Sequence, residues 1–337
     1  MTVALDAMGG DYAPAVAVEG GVAAARAHGF PLLLVGIEAD VQAELAKHQT
    51  AGLDIQVVHA SQVIAMDEHP ANAARQKTDS SIVVGMRLVK SGRAGAFVSA
   101  GNTGAMVAAG LLELGRARGV DRPALGIIFP TLRGKTLLLD VGATPDAKPE
   151  HLAQFGLMGS LYLERVFGVP NPRVGLVSIG EEEGKGNALV QQASPRMRAM
   201  ALNYIGNVEG KDIPAGSVDV AVCDGFVGNV LLKFAEGLAA SITGIIREEL
   251  QRTVWSKLLA AGSLPGFRRA RKRMDYREFG GAPLLGLRGL AIVAHGRSDA
   301  HAIQNALRVA HDGARQDIAQ LIAEGIAQSR DGGSEPE

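Results

Sequence analysis

The sequence predicts an α/β fold in which helices flank a mostly parallel, twisted sheet. Short apolar runs that end in Gly, Asp or Asn recur along its 337 residues, and segments with helical spacing lie between most of them. Hydrophobic residues make up 47% of the chain but aromatic residues only 4%, and there are 43 glycines. The core must therefore come from Ala, Val, Leu and Ile side chains on strands and helices joined by glycine turns.

The predicted strands are continuous apolar runs, which is typical of strands buried on both faces of a sheet. They are expected at 3–7, 32–35, 55–59, 96–99, 125–129, 137–141, 174–179, 218–223 and 290–293. Helices are expected at 14–27, 80–90, 103–114, 152–167, 229–250 and 300–310. In open parallel sheets ligands bind beyond the carboxyl ends of the strands, so the loops after these runs are the candidate sites.

The chain is long enough for one large α/β domain, and no Pro/Ser-rich linker divides it. We expect a single domain at 1–328 and a polar, flexible tail at 329–337. Residues 245–278 are rich in charge and show no clear strand pattern. They are predicted to form a helical excursion that projects from the sheet.

Composition and charge exclude several classes of function. A net charge of -1 and a pI near 6.7 disfavour a nucleic-acid partner. Cys223 is the single cysteine, which excludes an internal disulfide and a cysteine-based zinc site. The N-terminus shows no export signal, and the most apolar stretch, 83–114, is interrupted by Arg87, Lys90 and Arg93. These features predict a cytoplasmic protein.

Two glycine-containing loops, at 6–11 and 99–104, each follow a predicted strand and precede a helix. Small residues leave room for a ligand, and the first N–H groups of a helix suit a tetrahedral anion. Tight turns with capped helices would show the same residues, so both interpretations stand. The candidate ligand-binding residues are Gly9, Gly10, Asp11, Ser99, Gly101, Asn102, Thr103 and Gly104.

The glycine-rich segment 180–186 is not a nucleotide-binding loop. Its spacing departs from the P-loop, Lys185 is not followed by Ser or Thr, and three successive glutamates would repel a triphosphate. No G-x-G-x-x-G follows the opening strand, so the dinucleotide fingerprint is also missing. Two roles remain for Lys185: it belongs either to an ion-paired loop or to a loop that clamps the substrate.

Two later strand ends carry further candidates. Cys223 continues an apolar run, which favours an inert buried thiol over an acyl-accepting nucleophile. Asp224 and Asn229 follow it and are candidates for polar contacts or for helix capping. In the loop at 295–299, His295 could move a proton and Arg297 could hold an anion, whereas Asp299 could serve either in proton transfer or as an N-cap.

Taken together, these motifs resemble the PlsX family, the acyl-ACP:phosphate acyltransferases. The resemblance covers nearly the whole chain and is carried by 6–11, 99–105, 140–143, 179–182, 185–187, 205–210, 223–229 and 280–286. It implies a homodimer, a fold related to phosphate acetyltransferases, and no metal or organic cofactor. Thr144 and Ala147 depart from the family pattern, so no catalytic role is placed at 140–149.

The resemblance also implies the chemistry, in which inorganic phosphate attacks the thioester of a long acyl group on acyl carrier protein. By analogy with the late Ser/Arg/Asp loop of phosphate acetyltransferases, Asp299 or His295 would transfer the proton. Lys185, Asn187 and Asn229 would contact the substrate. The loop at 99–104 is then expected to form one wall of a phosphate pocket shared with Gly9, Gly10 and Asn229.

Two other functions remain open from the residues. A CoA-dependent, short-chain phosphate acyltransferase would share the fold and the chemistry. A non-catalytic scaffold would bind phosphate or a metabolite without turnover. Both would use the same glycine-containing loops, so the choice depends on assays of turnover and of the thioester donor.

The resemblance also suggests a function for the excursion at 245–278. An apolar stripe is followed there by a basic cluster. This combination favours reversible contact with an anionic membrane, which would deliver acyl phosphate near the glycerol-3-phosphate acyltransferase that uses it. A dimer contact and a docking site for the acidic carrier protein are the alternatives. The residues are Trp255, Leu258, Leu259, Leu264, Phe267, Arg268, Arg269, Arg271, Lys272 and Arg273.

Overall fold

One 11-stranded sheet runs through the part of the chain that the computed structural model describes, which is 1–253, 262, 265–266 and 276–331. The strands lie in the order β3-β2-β1-β4-β11-β10-β5-β6-β9-β7-β8. They are β1 (Val3–Asp6), β2 (Leu32–Gly36), β3 (Ile55–His59), β4 (Ala96–Ser99), β5 (Ala124–Thr131), β6 (Gly134–Leu139), β7 (Arg173–Val177), β8 (Asn203–Val208), β9 (Val220–Val222), β10 (Ala282–Leu285) and β11 (Leu290–Val293).

Helices cover both faces of this sheet. They are α1 (Ala15–His28), α2 (Glu38–Leu45), α3 (Pro70–Gln76), α4 (Ser81–Lys90), α5 (Thr103–Ala109, continued by a π-helical turn at Gly110–Leu114), α6 (Pro149–Phe167), α7 (Ala188–Ala199), α8 (Asp212–Ala215), α9 (Gly225–Gln251), α10 (Ala300–Arg315) and α11 (Ile318–Asp331). The predicted α/β fold class is confirmed. The chain is helical through Asp331, so 329–331, expected in a tail, belong to α11.

Strand direction divides the sheet into two halves. In the first half, β1, β2, β3, β4 and β11 run parallel to one another, and in the second half β6, β7, β8 and β9 do the same. Between them β10 pairs antiparallel with β11 and β5, and β5 pairs antiparallel with β6. These three reversals make the second half run opposite to the first. The strands of the first half therefore have their carboxyl ends along one border of the sheet, which we call the first edge. The strands of the second half have their carboxyl ends along the opposite border, which we call the second edge.

The core lies between the helices and the central strands. Strands β1, β2, β4 and β11 are buried at every position, as expected for an interior parallel sheet. Helices α1 and α10 pack closely against each other, because Gly20 leaves room for Ile303: an added Cβ would lie 2.6 Å from the Ile303 Cβ. This packing places the N-terminus of α10 beside the loop that follows β1.

Helix α9 departs from this pattern because it packs only through its first turns, where Gly225 and Gly228 are buried. From Glu236 to Glu249 every residue is exposed. Its large exposed apolar side chains, here the α9 stripe, are Phe226, Val230, Phe234, Leu238, Ile242, Ile245 and Ile246. By length and composition alone α9 could cross a bilayer. A single helix with these properties does not establish a membrane span, because core helices of soluble proteins meet the same criterion.

The ion pair between Arg173 and Asp219 is expected to give the protein an acid-sensitive contribution to stability. The guanidinium donates to both carboxylate oxygens, at 2.9 and 3.0 Å. Burial would raise the pKa of Asp219, but the bonds from Arg173 outweigh it and hold the pKa below its usual 3.8. Because the folded pKa is depressed, this stability is present above about pH 4 and is lost as pH falls below it. Asp219→Asn should lower the free energy of unfolding by about 1 kcal/mol at pH 7.

Urea unfolding of the variant and the parent at pH 7 and pH 3 measures this effect. The difference should shrink at pH 3, where the parent carboxylate also begins to be protonated. Asp54→Asn serves as a matched control, because the Asp54 carboxylate is in an exposed, 3.5 Å contact with Gln56. An equal loss for Asp219→Asn at both pH values would contradict the assignment.

Candidate active site

Three loops meet at the first edge, after the neighbouring strands β1, β4 and β11. The Asp11 N–H donates to the Gly296 carbonyl at 2.8 Å, which joins the first and third loops. An added Cβ on Gly9 would lie 2.8 Å from the Gly101 nitrogen, so the first and second loops touch through backbone. Gly10 has φ +104°, a conformation that glycine adopts without strain. The glycines of these loops therefore allow backbone to approach backbone closely. Close approach to a ligand stays a prediction.

A buried hydrogen-bond network ties the first loop to the second. The Ser99 hydroxyl donates to Asp6 Oδ2 at 2.6 Å and accepts from the Gly101 N–H at 3.0 Å, while Asp6 Oδ1 accepts from the Met8 N–H at 3.0 Å. Burial raises the pKa of Asp6, against the opposing effect of these bonds. Both Ser99 and Asp6 are occupied by the loops themselves. They position the backbone rather than present a side chain to a ligand.

Asn102 has a similar structural role at the start of α5. Its side-chain oxygen accepts from the Ala105 N–H at 3.0 Å, so it is the N-cap of the helix. Its Nδ2 lies 3.2 to 3.3 Å from three carbonyls at 65–68. The amide is fully engaged, so Asn102 has the helix-capping role that was the alternative to a ligand contact. Thr103 is exposed, Gly104 is half-buried, and their N–H groups have no acceptor inside the helix.

The third loop brings a histidine and an arginine to the same edge. His295 and Arg297 are exposed, and His295 Nδ1 accepts from the Arg297 N–H at 3.1 Å. Asp299 caps α10 by accepting from the Ala302 N–H at 2.9 Å and also pairs with Arg277. Burial would raise the pKa of Asp299, but these two bonds outweigh it and lower the pKa below its usual range. At neutral pH Asp299 is thus ionised, and both of its partners hold it in place.

The loop that contains Lys185 lies at the second edge, after β7. Lys185 is exposed, and Asn187 caps α7 by accepting from the Val190 N–H at 3.0 Å. The buried Asn207 donates from Nδ2 to the carbonyls of Glu182 at 2.8 Å and Lys185 at 3.4 Å, which closes the turn beneath the lysine. The sequence marked the motif that contains Asn207 but assigned it no role. Asn207 lies within β8, a strand that the sequence pattern did not predict, so its role was missed.

The ends of β6 and β9 complete the second edge. Asp224 caps α9 by accepting from the Phe226 and Val227 N–H groups at 3.0 and 2.9 Å, and Asn229 is exposed on the first turn. Cys223 is buried, and burial raises the pKa of its thiol well above the ordinary value. The burial of Cys223 supports an inert thiol. Asp224 has the helix-capping role that was the alternative to a polar contact with substrate.

The two edges are far apart within one chain. Strands β4 and β7 are six neighbours apart in the sheet, which corresponds to roughly 29 Å at the usual strand spacing. The loops after them also lie on opposite edges. Asn229 therefore does not share a pocket wall with Gly9 and Gly10 in the same chain, as the sequence had led us to expect. The physical reason is the reversal of direction through β10, β5 and β6.

A basic cavity of about 710 Å³ opens at the second edge, lined by Leu111, the segment 115–121 and Arg288. Arg116, Arg118 and Arg288 are exposed there, and none forms an ion pair with another described residue. Thr144, in the turn after β6, donates its hydroxyl to the carbonyl of Pro123 at 3.0 Å, just beyond the lining segment 115–121. None of the motif residues that the structure describes lines this cavity.

Several predicted residues fall outside the described part of the chain. They are the membrane or carrier contacts of the excursion: Trp255, Leu258, Leu259, Leu264, Phe267, Arg268, Arg269, Arg271, Lys272 and Arg273. The described residues contain no cluster of three or more His, Cys, Asp or Glu side chains that could hold a metal ion.

Known proteins identify the family. A family model described as Fatty acid synthesis protein matches residues 1–321. The phosphate acyltransferase of Heliobacterium modesticaldum is 54% identical over 328 residues, which cover 97% of this chain and 98% of that protein. The phosphate acyltransferase of Geobacter sulfurreducens is 52% identical over 324 residues, 96% of this chain and 94% of that protein. This chain belongs to the PlsX family of phosphate acyltransferases.

Membership of the PlsX family makes the chain an acyltransferase. Solved structures with the same fold include the EutD phosphotransacetylase from Staphylococcus aureus, with a TM-score of 0.62 and 15% identity over 93% of this chain and 94% of that one. A phosphotransacetylase from Streptococcus pyogenes has a TM-score of 0.62 and 16% identity over 94% of both chains. The expected relation to phosphate acetyltransferase-like folds is confirmed.

Proposed function

We propose that this PlsX family member transfers a long-chain acyl group from acyl carrier protein to inorganic phosphate, and that phosphate binds at the first edge. The observation that carries the site is the junction of three strand-end loops, closed by the bond from the Asp11 N–H to the Gly296 carbonyl. It brings the N–H groups at the start of α5 together with the exposed His295 and Arg297. An anion there meets backbone donors and one guanidinium.

The reaction needs little help from a base, because phosphate dianion is itself a competent nucleophile. One phosphate oxygen forms a bond to the thioester carbonyl carbon, and the carbon–sulfur bond breaks as the tetrahedral oxyanion collapses. The proton of the phosphate passes to the departing sulfur through His295, which gives acyl phosphate and a free thiol. The loops supply orientation and donors to the developing negative charge, where a single donor is worth roughly a hundredfold in rate.

Direct attack predicts that the cysteine is dispensable. Cys223→Ser should retain most of the turnover, because the thiol is buried and burial raises its pKa well above the ordinary value. Steady-state thiol release by the folded variant measures this. Abolished turnover with an unchanged thermal unfolding curve would instead require an acyl-enzyme intermediate on Cys223.

The acyl donor is proposed to dock on the basic cavity at the second edge. Its arginines Arg116, Arg118 and Arg288 are complementary to the acidic surface of a carrier protein, and a protein partner is steered by such charge. Arg118→Glu should raise KM for acyl carrier protein about tenfold and leave KM for the matching acyl-CoA within about twofold. Arg196→Glu, an exposed change on α7, is the matched control. An equal rise for both donors would contradict this docking site.

A phosphate-dependent thiol-release assay tests the proposed function. Long-chain acyl carrier protein, long-chain acyl-CoA and acetyl-CoA are compared side by side, with acyl phosphate measured as the product. Equal rates with acetyl-CoA would favour a CoA-dependent short-chain enzyme. Phosphate binding without thiol release from any donor would favour a non-catalytic scaffold.

Assembly and location are part of the same proposal. We place the enzyme in the cytoplasm as a homodimer that touches anionic membrane reversibly through its basic excursion. That contact would pass acyl phosphate to a membrane-bound glycerol-3-phosphate acyltransferase. Flotation with anionic liposomes, compared between the parent and a Leu258→Glu/Leu259→Glu variant, tests the membrane contact.

A further inference from the structure

The residues suited to the reaction are divided between the two edges of the sheet. Phosphate is placed by the proposed function at the first edge, beside Thr103 and His295. Lys185 and the arginine cavity lie at the second edge, where the proposed function docks the thioester donor. The reacting oxygen and carbon must approach to about 3.5 Å, whereas β4 and β7 are roughly 29 Å apart in one chain. One protomer therefore cannot bring its own Lys185 to a phosphate at the first edge.

We propose that each active site is composite, with the first edge of one copy of this chain facing the second edge of another copy. This inference rests on the proposed function. It adds that the residues facing the phosphate site come from a second copy of the chain. In such a site the partner subunit's Lys185 supplies a positive charge to phosphate and to the tetrahedral oxyanion. The partner subunit's arginine cavity then guides the carrier to phosphate on the first copy.

The charges around Lys185 support this arrangement. In the same loop, Glu183 pairs with Arg198 and Glu181 lies 3.6 Å from the Lys211 ammonium. Lys185 forms no ion pair with any described residue of its own chain, although Asn207 fixes the turn that carries it. Glu182 is the remaining carboxylate of the loop and is exposed as well. With the other two glutamates paired, an exposed lysine on a fixed turn suits an anion that is brought by something outside the protomer.

The α9 stripe supplies a reason for a second copy to lie at this edge. Helix α9 begins at the second edge, directly after Asp224, and exposes apolar side chains such as Phe226 and Phe234 at 67% and 66%. Exposed apolar surface of this extent is typical of a protein interface. In a closed two-fold dimer, if the first edge of one copy faces the second edge of its partner, the reverse also holds. Two identical composite sites result.

Heterodimers with one substitution at each edge test the proposal. Thr103→Glu places a negative charge at the phosphate site, and Lys185→Glu reverses the cation of the opposing wall. Each homodimer is expected to lose at least 90% of the phosphate-dependent thiol release. The two variants are co-expressed with different affinity tags, and doubly tagged dimers are purified. A composite site leaves one unaltered site in each heterodimer, with about half of the parent activity, whereas sites within single chains leave none.

The reciprocal heterodimer gives the opposite outcome and serves as the control. A chain with both substitutions is paired with an unaltered chain. Composite sites then each carry one lesion and activity is lost, whereas sites within single chains retain about half. The proposal is overturned if the first heterodimer is inactive and the second active, if Lys185→Glu alone leaves activity unchanged, or if no doubly tagged dimer forms. A parent protein without thiol release would overturn the proposed function, and this inference with it.

Discussion

Replacing Thr103 by glutamate is expected to lower kcat/KM for phosphate by about 100-fold while the protein remains folded. Thr103 is exposed at the first position of α5, next to Gly104 and close to the junction of the three loops. A carboxylate there would repel phosphate and the oxyanion that forms from it. The same charge favours the helix, because acidic residues are stabilising in a first turn. Thiol release measured against phosphate concentration gives the effect, and thermal unfolding followed by circular dichroism reports the fold.

Thr103→Gln separates charge from size, because glutamine has the same shape as glutamate without its charge. The loss of kcat/KM with glutamine should stay within about tenfold, since the backbone donors remain in place. Matching losses for the two variants would show that bulk rather than charge is responsible. Phosphate would then have to bind elsewhere.

Gly228→Ala is expected to destabilise the protein by about 3 kcal/mol. The added methyl group would overlap the carbonyl oxygen of Asp140 and lie 3.0 Å from the Cys223 sulfur. Both neighbours are held in place, because the buried Asp140 carboxylate accepts from four backbone N–H groups, starting with Leu125 at 2.7 Å. The start of α9 must therefore move away from β6. Urea unfolding measures the loss in free energy.

Gly237→Ala is the matched control on the same helix. An added Cβ at Gly237 meets no atom of the described residues within 4 Å, so the change removes backbone freedom without a clash there. It should raise the free energy of unfolding by about 0.5 to 1 kcal/mol. Equal behaviour of the two variants would contradict the tight approach of α9 to the turn after β6.

Most strands could be predicted from the sequence because they are continuous apolar runs that end in turn residues. Strands β8 and β10 were missed for identifiable reasons. In β8 the run is broken by Asn203, Gly206 and Asn207, and β10 has four residues with Pro283 among them. Their positions depend on ladder partners, β7 for the first and β5 and β11 for the second. No local pattern contains that information.

The candidate loops were also predictable, but the role of each polar side chain was not. Asn102, Asn187, Asp224 and Asp299 each cap a helix in the structure. The same residue types would be expected for ligand contacts, because a cap and a contact both need a short side chain with an oxygen acceptor. The hydrogen-bond partners decide between them. For Asp299 the pairing with Arg277, which is 22 residues away in sequence, adds a second partner.

The sequence by itself determined the fold class, the loops that follow the strands and the family to which the chain belongs. Only the tertiary structure decided on which edge of the sheet each loop lies. A short apolar strand such as β6 has the same sequence pattern in a parallel and in an antiparallel ladder, since its side chains alternate identically in both. Pairing through β10 and β5 reverses the second half of the sheet. That reversal separates Lys185 from Ser99 within one chain.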